Sequence, residues 1–341
     1  MKLYDVIIIG AGPAGLNCAN TLAKSNKRVL LVDQKEIIGP KVCAGGLTGH
    51  DLEYLKLPDN LLDHKYNEMT LHTALSHNII KLYKHLVYTI DRKNLGQWQL
   101  KRLNNTNVKV RTLAKVTEIK NNIIVLNNSE KVGFKYLVGA DGSSSLVRRF
   151  LELKTNYLGI AIQYIIPTKS YKKLEVFFDS KLFHSWYAWI FPHKNYVSIG
   201  CGCDPKYLSS KKLIANFNKW LKKNKIDVSH GEYQAHPINF DYQGYKFKNI
   251  FLAGDAAGLA SGFTGEGIYP ALISGAEIAK MIMDKHYTSK KMDELKKTKQ
   301  LHNRILYFLE KSGSIRKVEF ELLGLSLKTK LFSNWLISML A

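Results

Sequence analysis

The sequence predicts an α/β fold in which a parallel sheet, assembled from distant stretches of chain, is interleaved with an antiparallel-sheet domain and followed by a short helical C-terminus. Three observations carry this expectation. Leu3 to Ile9 is an apolar, β-branched run that leads directly into Gly10-Ala-Gly12-Pro-Ala-Gly15. Two later apolar runs, Tyr136 to Ala140 and Ile250 to Ala253, end in Asp141-Gly142 and Gly254-Asp255. Between these markers lie strand-like segments broken near Pro167 and Pro192.

The first run suits a strand buried on both faces of a parallel sheet. Gly10 permits a tight turn, Gly12 lets the backbone approach a pyrophosphate, and Gly15 allows the following helix to pack closely on the strand. Pro13 suits the first helical turn, whose free N–H groups attract phosphate oxygens. Arg28 to Val32 reads as a second strand ending at Asp33, where a carboxylate accepts hydrogen bonds from adenosine ribose hydroxyls. Strand, glycines, helix, strand and acid stand in the register of a Rossmann-like dinucleotide site. A simple NAD-binding domain would continue its βαβ pattern at once, whereas here the next comparable strands lie far downstream. That interruption favours FAD and a glutathione-reductase-like layout.

The Gly254-Asp255 signal carries further chemistry. Asp255 is placed to accept a hydrogen bond from a ribityl hydroxyl, and the stretch from Gly262 through Gly265 to Gly267 leads into a helix starting near Ile268. A helix start presents N–H groups and partial positive charge, suited to the N1/O2 edge of a reduced flavin. Two plainer readings stand beside these: Asp141-Gly142 as a turn, and Asp255 as a helix cap.

In the middle of the chain, Glu68 to Asp91, Leu174 to Phe178, Ser185 to Phe191 and Tyr196 to Gly200 read as strands of an antiparallel sheet. The expected division is an FAD-binding domain of residues 1–65, 92–153 and 246–290, a substrate domain of residues 66–91 and 154–245, and a helical segment of residues 291–341. In Ser209 to Lys223, Leu213, Phe217, Trp220 and Leu221 recur at helical spacing opposite Lys211, Lys212, Lys219, Lys222 and Lys223. That helix either lies on a membrane surface or docks on the sheet with its lysines in water. From Ile315 onward, apolar residues again mix with Lys328, Lys330 and Trp335, as a cap on the substrate cavity or a lipid contact.

Composition narrows the function. With 341 residues, 45% of them hydrophobic, the chain buries a large core. Fifty Lys+Arg against 28 Asp+Glu give a net charge of +22, which favours an anionic membrane surface, a phosphorylated substrate or nucleic acid, or else a solvated lysine-rich exterior. No zinc-finger, RNP or basic-zipper pattern accompanies the charge, so nucleic acid is not expected. Cys18, Cys43, Cys201 and Cys203 show no CxxC pair and no zinc spacing, so neither a metal site nor a disulfide framework is expected, and a reduced cytosol fits. Val6 to Ala23 carries no charge and approaches the length of a membrane span, but Gly10, Gly12, Pro13 and Gly15 interrupt it, so a soluble or peripheral protein is expected.

The segments Gly10 to Gly15, Val138-Gly-Ala-Asp-Gly142 and Ala253-Gly-Asp-Ala-Ala257 resemble the three signals of the FAD-dependent hydroxylase and reductase superfamily. Lys41-Val-Cys43-Ala-Gly45-Gly46 is similar to the Cys-Gly-Gly segment of geranylgeranyl reductases, with Ala44 where glycine is common, and Tyr187-Ala-Trp189-Ile-Phe191-Pro192 matches their YxWxFP signature. The resemblance implies bound FAD, a two-domain body and reduction of isoprenoid double bonds in chlorophyll, quinone or ether-lipid precursors. It further implies flavin contacts from Ala14, Asp33, Cys43, Ala44, Gly46, Arg92, Ala114, Asp255, Gly267 and Ile268.

Residue chemistry bears on parts of that transfer. Arg92 falls just before an expected helix, either to pair bidentately with the pyrophosphate or to remain a surface charge. Cys43, beside Lys41, is either a catalytic thiol activated by the cation or a small apolar neighbour of the flavin. Tyr187, Trp189 and Phe191 share one strand face, as the wall of an apolar substrate cavity or as plain core. The implied reaction is hydride transfer from flavin N5 to an alkene carbon, with NAD(P)H or a reduced ferredoxin as electron donor. A basic surface suits an acidic electron carrier. The alternatives are an FAD-dependent aromatic monooxygenase or halogenase, and a basic lipid-binding or nucleic-acid-binding protein without catalysis.

Overall fold

The structure, a computed structural model, describes residues 1–81 and 87–327. Lys2–Ile9 lies inside a parallel sheet whose strands run Ile250–Leu252, Glu130–Gly139, Lys2–Ile9, Val29–Val32 and Val108–Arg111. An antiparallel meander, Val116–Lys120 and Ile123–Leu126, folds back onto Glu130–Gly139, and Lys246–Phe247 adds an antiparallel edge. Val6, Ile7, Ile8 and all of Val29–Val32 are fully buried. Burial on both sheet faces explains why these strands read as unbroken apolar runs.

The glycines show why the sheet and its helices approach so closely. Gly10 has φ +99°, and a Cβ on Gly15 would stand 1.8 Å from the Gly10 carbonyl oxygen. The helix Pro13–Leu22 therefore leaves the strand without a gap. It packs against the long helix Ile268–Met283, where a Cβ on Gly275 would meet the Ala14 carbonyl oxygen at 2.1 Å. Backbone touches backbone there, which brings two helix starts from opposite ends of the sequence to one place.

A second sheet runs Glu232–Asn239, Leu158–Ile166, Val197–Cys203, Ala188–Pro192, Glu175–Phe177, Glu68–His72 and His77–Lys81. It is antiparallel except where Glu175–Phe177 pairs in parallel with Glu68–His72. The single strand expected over Glu68 to Asp91 is corrected: Glu68–His72 and His77–Lys81 form a hairpin, residues 82–86 lie outside the described residues, and Val87–Thr89 joins a different sheet. That third sheet pairs Val87–Thr89 with Gly46–Thr48 and His64–Tyr66, so this stretch is separate from the second sheet.

The helix Ser210–Lys223 starts at the Ser209 cap and buries Leu213, Phe217, Trp220 and Leu221 in one cluster with Val197, Ile199 and Cys201. Its apolar face is covered by the sheet, so the membrane-surface reading of this helix is withdrawn and its lysines face solvent. Helices Lys290–Lys311 and Arg316–Ser326 follow, and Lys328, Lys330 and Trp335 lie outside the described residues.

Arg148 pins the two sheets together. Its side chain is 2% exposed, and its guanidinium donates to the Asp241 carbonyl at 2.9 Å, to Asp241 Oδ2 at 3.4 Å and to the Ala256 carbonyl at 3.5 Å. The four cysteines are free thiols. Among the described residues, no helix is long and apolar enough to cross a membrane, and no cluster of His, Cys, Asp and Glu could hold a metal ion.

Candidate active site

One cavity of about 1000 Å³ runs from the carboxyl ends of the parallel strands to the face of the second sheet. Ligand crevices of open α/β sheets lie at that end of the strands. Gly10, Gly12, Ala14, Asp33, Cys43, Ala44, Gly46, Arg92, Ala114, Asp255, Gly265, Gly267 and Ile268 all line it, as do Tyr187, Trp189 and Phe191. Gly15 does not, because it packs the helix onto the Gly10 turn.

At its polar end the cavity is framed by backbone. A Cβ on Gly12 would meet nothing within 4 Å, so the chain offers open space where a diphosphate would press against it. Neither the helix starting at Pro13 nor the one starting at Ile268 has a side-chain cap, which leaves first-turn N–H groups for an anionic or polar ligand. Asp33 is partly engaged by the protein: its Oδ2 accepts from Ala11 N at 2.7 Å and its Oδ1 from Lys35 N at 2.8 Å. Ala114 donates its N–H to the Asp33 carbonyl at 2.9 Å. Arg92 opens the helix Arg92–Lys101 behind the Asp91 cap, and its Nε is buried without a partner. A close approach of Gly39 to Gly96, 2.3 Å from a Cβ placed on Gly96, seats the 39–46 loop on that helix.

Asp255 does not cap a helix. Its Oδ2 accepts from Lys41 Nζ at 2.9 Å and from Ser143 Oγ at 3.2 Å, closing an ion pair across the cavity floor. Burial alone would raise this carboxyl, but the Lys41 ammonium, with His236 and Ser143, holds it below the usual carboxylate range. Asp141 shares the capping of the helix Leu146–Phe150 with Ser145: its Oδ2 accepts from Leu146 N at 2.7 Å and Val147 N at 3.3 Å, while Ser145 Oγ accepts from Arg148 N at 2.9 Å. His236 lines the same cavity, and burial, then the Lys41 cation, pushes its imidazole down to about 4, so it is neutral at physiological pH.

The Cys43–Gly46 turn is held from behind. His193, which is buried, donates from Nε2 to the Ala44 carbonyl at 2.9 Å and hydrogen-bonds through Nδ1 to Asp63 Oδ2 at 2.7 Å. Cys43 Sγ accepts from Gly45 N at 3.4 Å, while the Lys41 ammonium expected beside the thiol goes to Asp255. Gln163 Nε2 reaches the Cys43 carbonyl at 3.4 Å, and the chain continues through Ser198 Oγ to Trp189 Nε1 in bonds of 3.0 Å each. Trp189 lies over Gly200, where a Cβ would stand 2.3 Å from the indole. Tyr187 donates its hydroxyl to the Thr264 carbonyl, tying the aromatic wall to the loop before Ile268. Beyond that wall the lining turns apolar, with Met69, Leu71, Ile80, Val176, Phe178, Leu323 and Leu327.

Sequence reasoning missed Lys41 as an ion-pair partner, His236, and a buried carboxyl pair. Asp51 closes a capping box with Thr48, and Glu266 lies beside it in the Gly265–Gly267 loop. Burial first, and then Asp51, raises Glu266 well above the usual range, and burial raises Asp51 to about 6. The Thr48-x-x-Asp51 spacing was a visible capping signal, but nothing local linked it to Glu266.

A dinucleotide-shaped polar slot at the strand ends, opening into an apolar chamber, defines an FAD-binding oxidoreductase. The chain matches the FAD binding domain family over residues 3–282. An uncharacterized protein of Methanosarcina barkeri is 33% identical over 299 residues, covering 83% of this chain and 75% of that protein. The geranylgeranyl diphosphate reductase of Rhodobacter capsulatus is 27% identical over 298 residues, covering 82% and 75%. A solved geranylgeranyl bacteriochlorophyll reductase-like protein of Thermoplasma acidophilum superposes with a TM-score of 0.81 at 21% identity, over 97% of this chain and 92% of that one. The protein belongs to the FAD binding domain family, as an FAD-dependent oxidoreductase of the geranylgeranyl reductase type.

Proposed function

We propose that this protein reduces carbon–carbon double bonds of an isoprenoid or prenylated lipid. The observation that carries the reading is the continuity of one cavity from the Gly12 and Arg92 end to the Leu71, Ile80 and Leu327 end. The residues fit a flavin dinucleotide: Arg92, Asp141, Trp186 and His236 all line the cavity, and each keeps a buried polar atom without a protein partner. Gly10, Gly12, Ala14 and Arg92 would hold the diphosphate, Asp33 and Ala114 the adenosine, Asp255 the ribityl chain, and Cys43, Ala44, Gly46, Gly265, Gly267 and Ile268 the ring. When bound, the flavin supplies a hydride from N5.

The protein's own contribution is position and exclusion. Tyr187, Trp189 and Phe191 would form the apolar wall that orients the alkene, while the flanking Met69, Val176 and Phe178 keep water from the reacting carbons. The uncapped start of Ile268–Met283 would place partial positive charge at the ring's N1/O2 edge. Cys43 borders this space and is the thiol we propose to act there, with its sulfur held by Gly45 N. The basic exterior supports an acidic electron carrier or NAD(P)H as donor, and a contact with an anionic membrane surface that delivers the lipid.

The test is anaerobic photoreduction of the flavoprotein followed by a panel of polyprenyl diphosphates, quinones and ether lipids. Reoxidation by a prenyl compound, with a product two hydrogens heavier, is expected. Failure of all of them, with oxygen-dependent reoxidation in the presence of a hydroxylatable aromatic, would move the protein to the monooxygenases.

A further inference from the structure

A second cavity of about 220 Å³ lies behind the first, and Glu266 lines both. Its other walls mix apolar residues such as Leu259, Ile273 and Leu295 with titratable ones, among them His50, Lys299 and His302. On the inner side, Glu266 Oε1 is buried without a partner, and so is Oδ1 of Asp51, a residue only 1% exposed. Thr48 caps Asp51, whose Oδ2 lies 2.8 Å from the Thr48 N–H and 3.1 Å from its hydroxyl.

Two carboxyls this deep cannot both carry charge, because each loses hydration and each repels the other. Arg92 acts on Asp51 through space; Asp51, Tyr187 and Tyr269 face Glu266, and His50, Lys291, Glu294, Lys299 and His302 line the second cavity with it. Burial and mutual repulsion both favour a proton held in the pair, which stands at a wall with the first cavity on one side and a compartment partly lined by titratable groups on the other.

We propose that Glu266 is the proton donor of the reduction, with Asp51 as the positioning residue that keeps it loaded and the second cavity as the route of resupply. This rests on the alkene reduction proposed above. Saturating a double bond needs a hydride at one carbon and a proton at the other. The hydride carries both electrons from the flavin, which is oxidised. The π bond breaks, the Glu266 O–H proton forms the second C–H bond, and the alkene is reduced. The carboxylate then regains a proton from solvent through the cavity of His50, Lys299 and His302.

The first test needs no turnover. Infrared spectra of the FAD-free protein at pH 7 should contain a protonated-carboxyl band that shifts in deuterium oxide and disappears in Glu266→Gln; its absence from the native protein overturns the proposal. In the FAD-loaded protein, Glu266→Gln should keep its flavin and photoreduce normally, yet geranylgeranyl diphosphate should reoxidise it at least about 100-fold more slowly. Reoxidation at the native rate overturns the assignment. Asp51→Asn removes the repelling charge, so the pH above which reoxidation fails should move down; an unmoved profile sinks the positioning role. If no prenyl compound reoxidises the native flavin, the function proposed above falls, and the infrared band alone still decides whether Glu266 stores a proton.

Discussion

Arg148 and Arg92 both project inward, but their surroundings differ. Arg148 is ringed by acceptors from Asp241, Ala256, Lys154 and Thr155, so its guanidinium is occupied by the protein itself. Arg92 faces the cavity with Nε buried and unmatched. A buried donor without an acceptor is costly, and a fold tolerates it where a ligand completes the set. The contrast separates residues that hold the two sheets together from residues kept open for a cofactor, and it can be broken at four places.

The largest effect belongs to Arg148→Ala, which takes the counter-charge from Asp241 and the guanidinium donor from the Asp241 and Ala256 carbonyls and should cost about 3–5 kcal/mol in urea unfolding of the FAD-free protein. A loss under about 1 kcal/mol would erase the distinction. Arg92→Gln should do the reverse: unfolding of the FAD-free protein stays within about 0.5 kcal/mol. FAD binding weakens about 10- to 100-fold by flavin fluorescence titration, as expected for one charged hydrogen bond.

Lys299 gives a pH-dependent case. Burial pushes its amine down to about 7 from the ordinary 10.5, while Nζ donates to the Ala260 carbonyl at 2.5 Å. Between those values the unfolded chain binds the extra proton, so stability rises with pH across this window, and below about 7 the full cost of burying the ammonium is present. Lys299→Met should flatten that rise and stabilise the protein by about 1–2 kcal/mol at pH 6, with little change at pH 10.5. Melting curves at the two pH values check the sign. The smallest effect is Tyr187→Phe, which removes the tie to Thr264 and should lower stability by about 0.5–1.5 kcal/mol in the same measurement.

Much of the cofactor side was legible because its signals are local. Gly10 to Gly15 and Asp33 sit within one strand–helix–strand unit, and the close approach of Gly15 to the Gly10 carbonyl is made inside that unit. The Lys41–Asp255 pair was not legible, since its partners are 214 residues apart and neither has a local pattern naming the other. The same holds for Arg148 with Asp241 and for Asp51 with Glu266. Two strands of the second sheet were missed for a different reason. Leu158–Ile166 is packed on both faces and so lacks alternation, and Glu232–Asn239 contains Pro237, which reads as a breaker but is allowed because this strand lies at the sheet edge. Tyr187, Trp189 and Phe191 were placed on one face by their spacing, and all three reach the cavity wall.

The order of strands in the parallel sheet has a consequence for biosynthesis. Residues 2–9 leave the ribosome well before their neighbour Glu130–Gly139, and Ile250–Leu252 and the helix Ile268–Met283 come later still. A nascent chain must keep its glycine-rich turn waiting, with apolar strand faces uncovered, until most of the protein has been translated. This connectivity exposes apolar strand faces to aggregation during synthesis, before the segments that cover them have emerged.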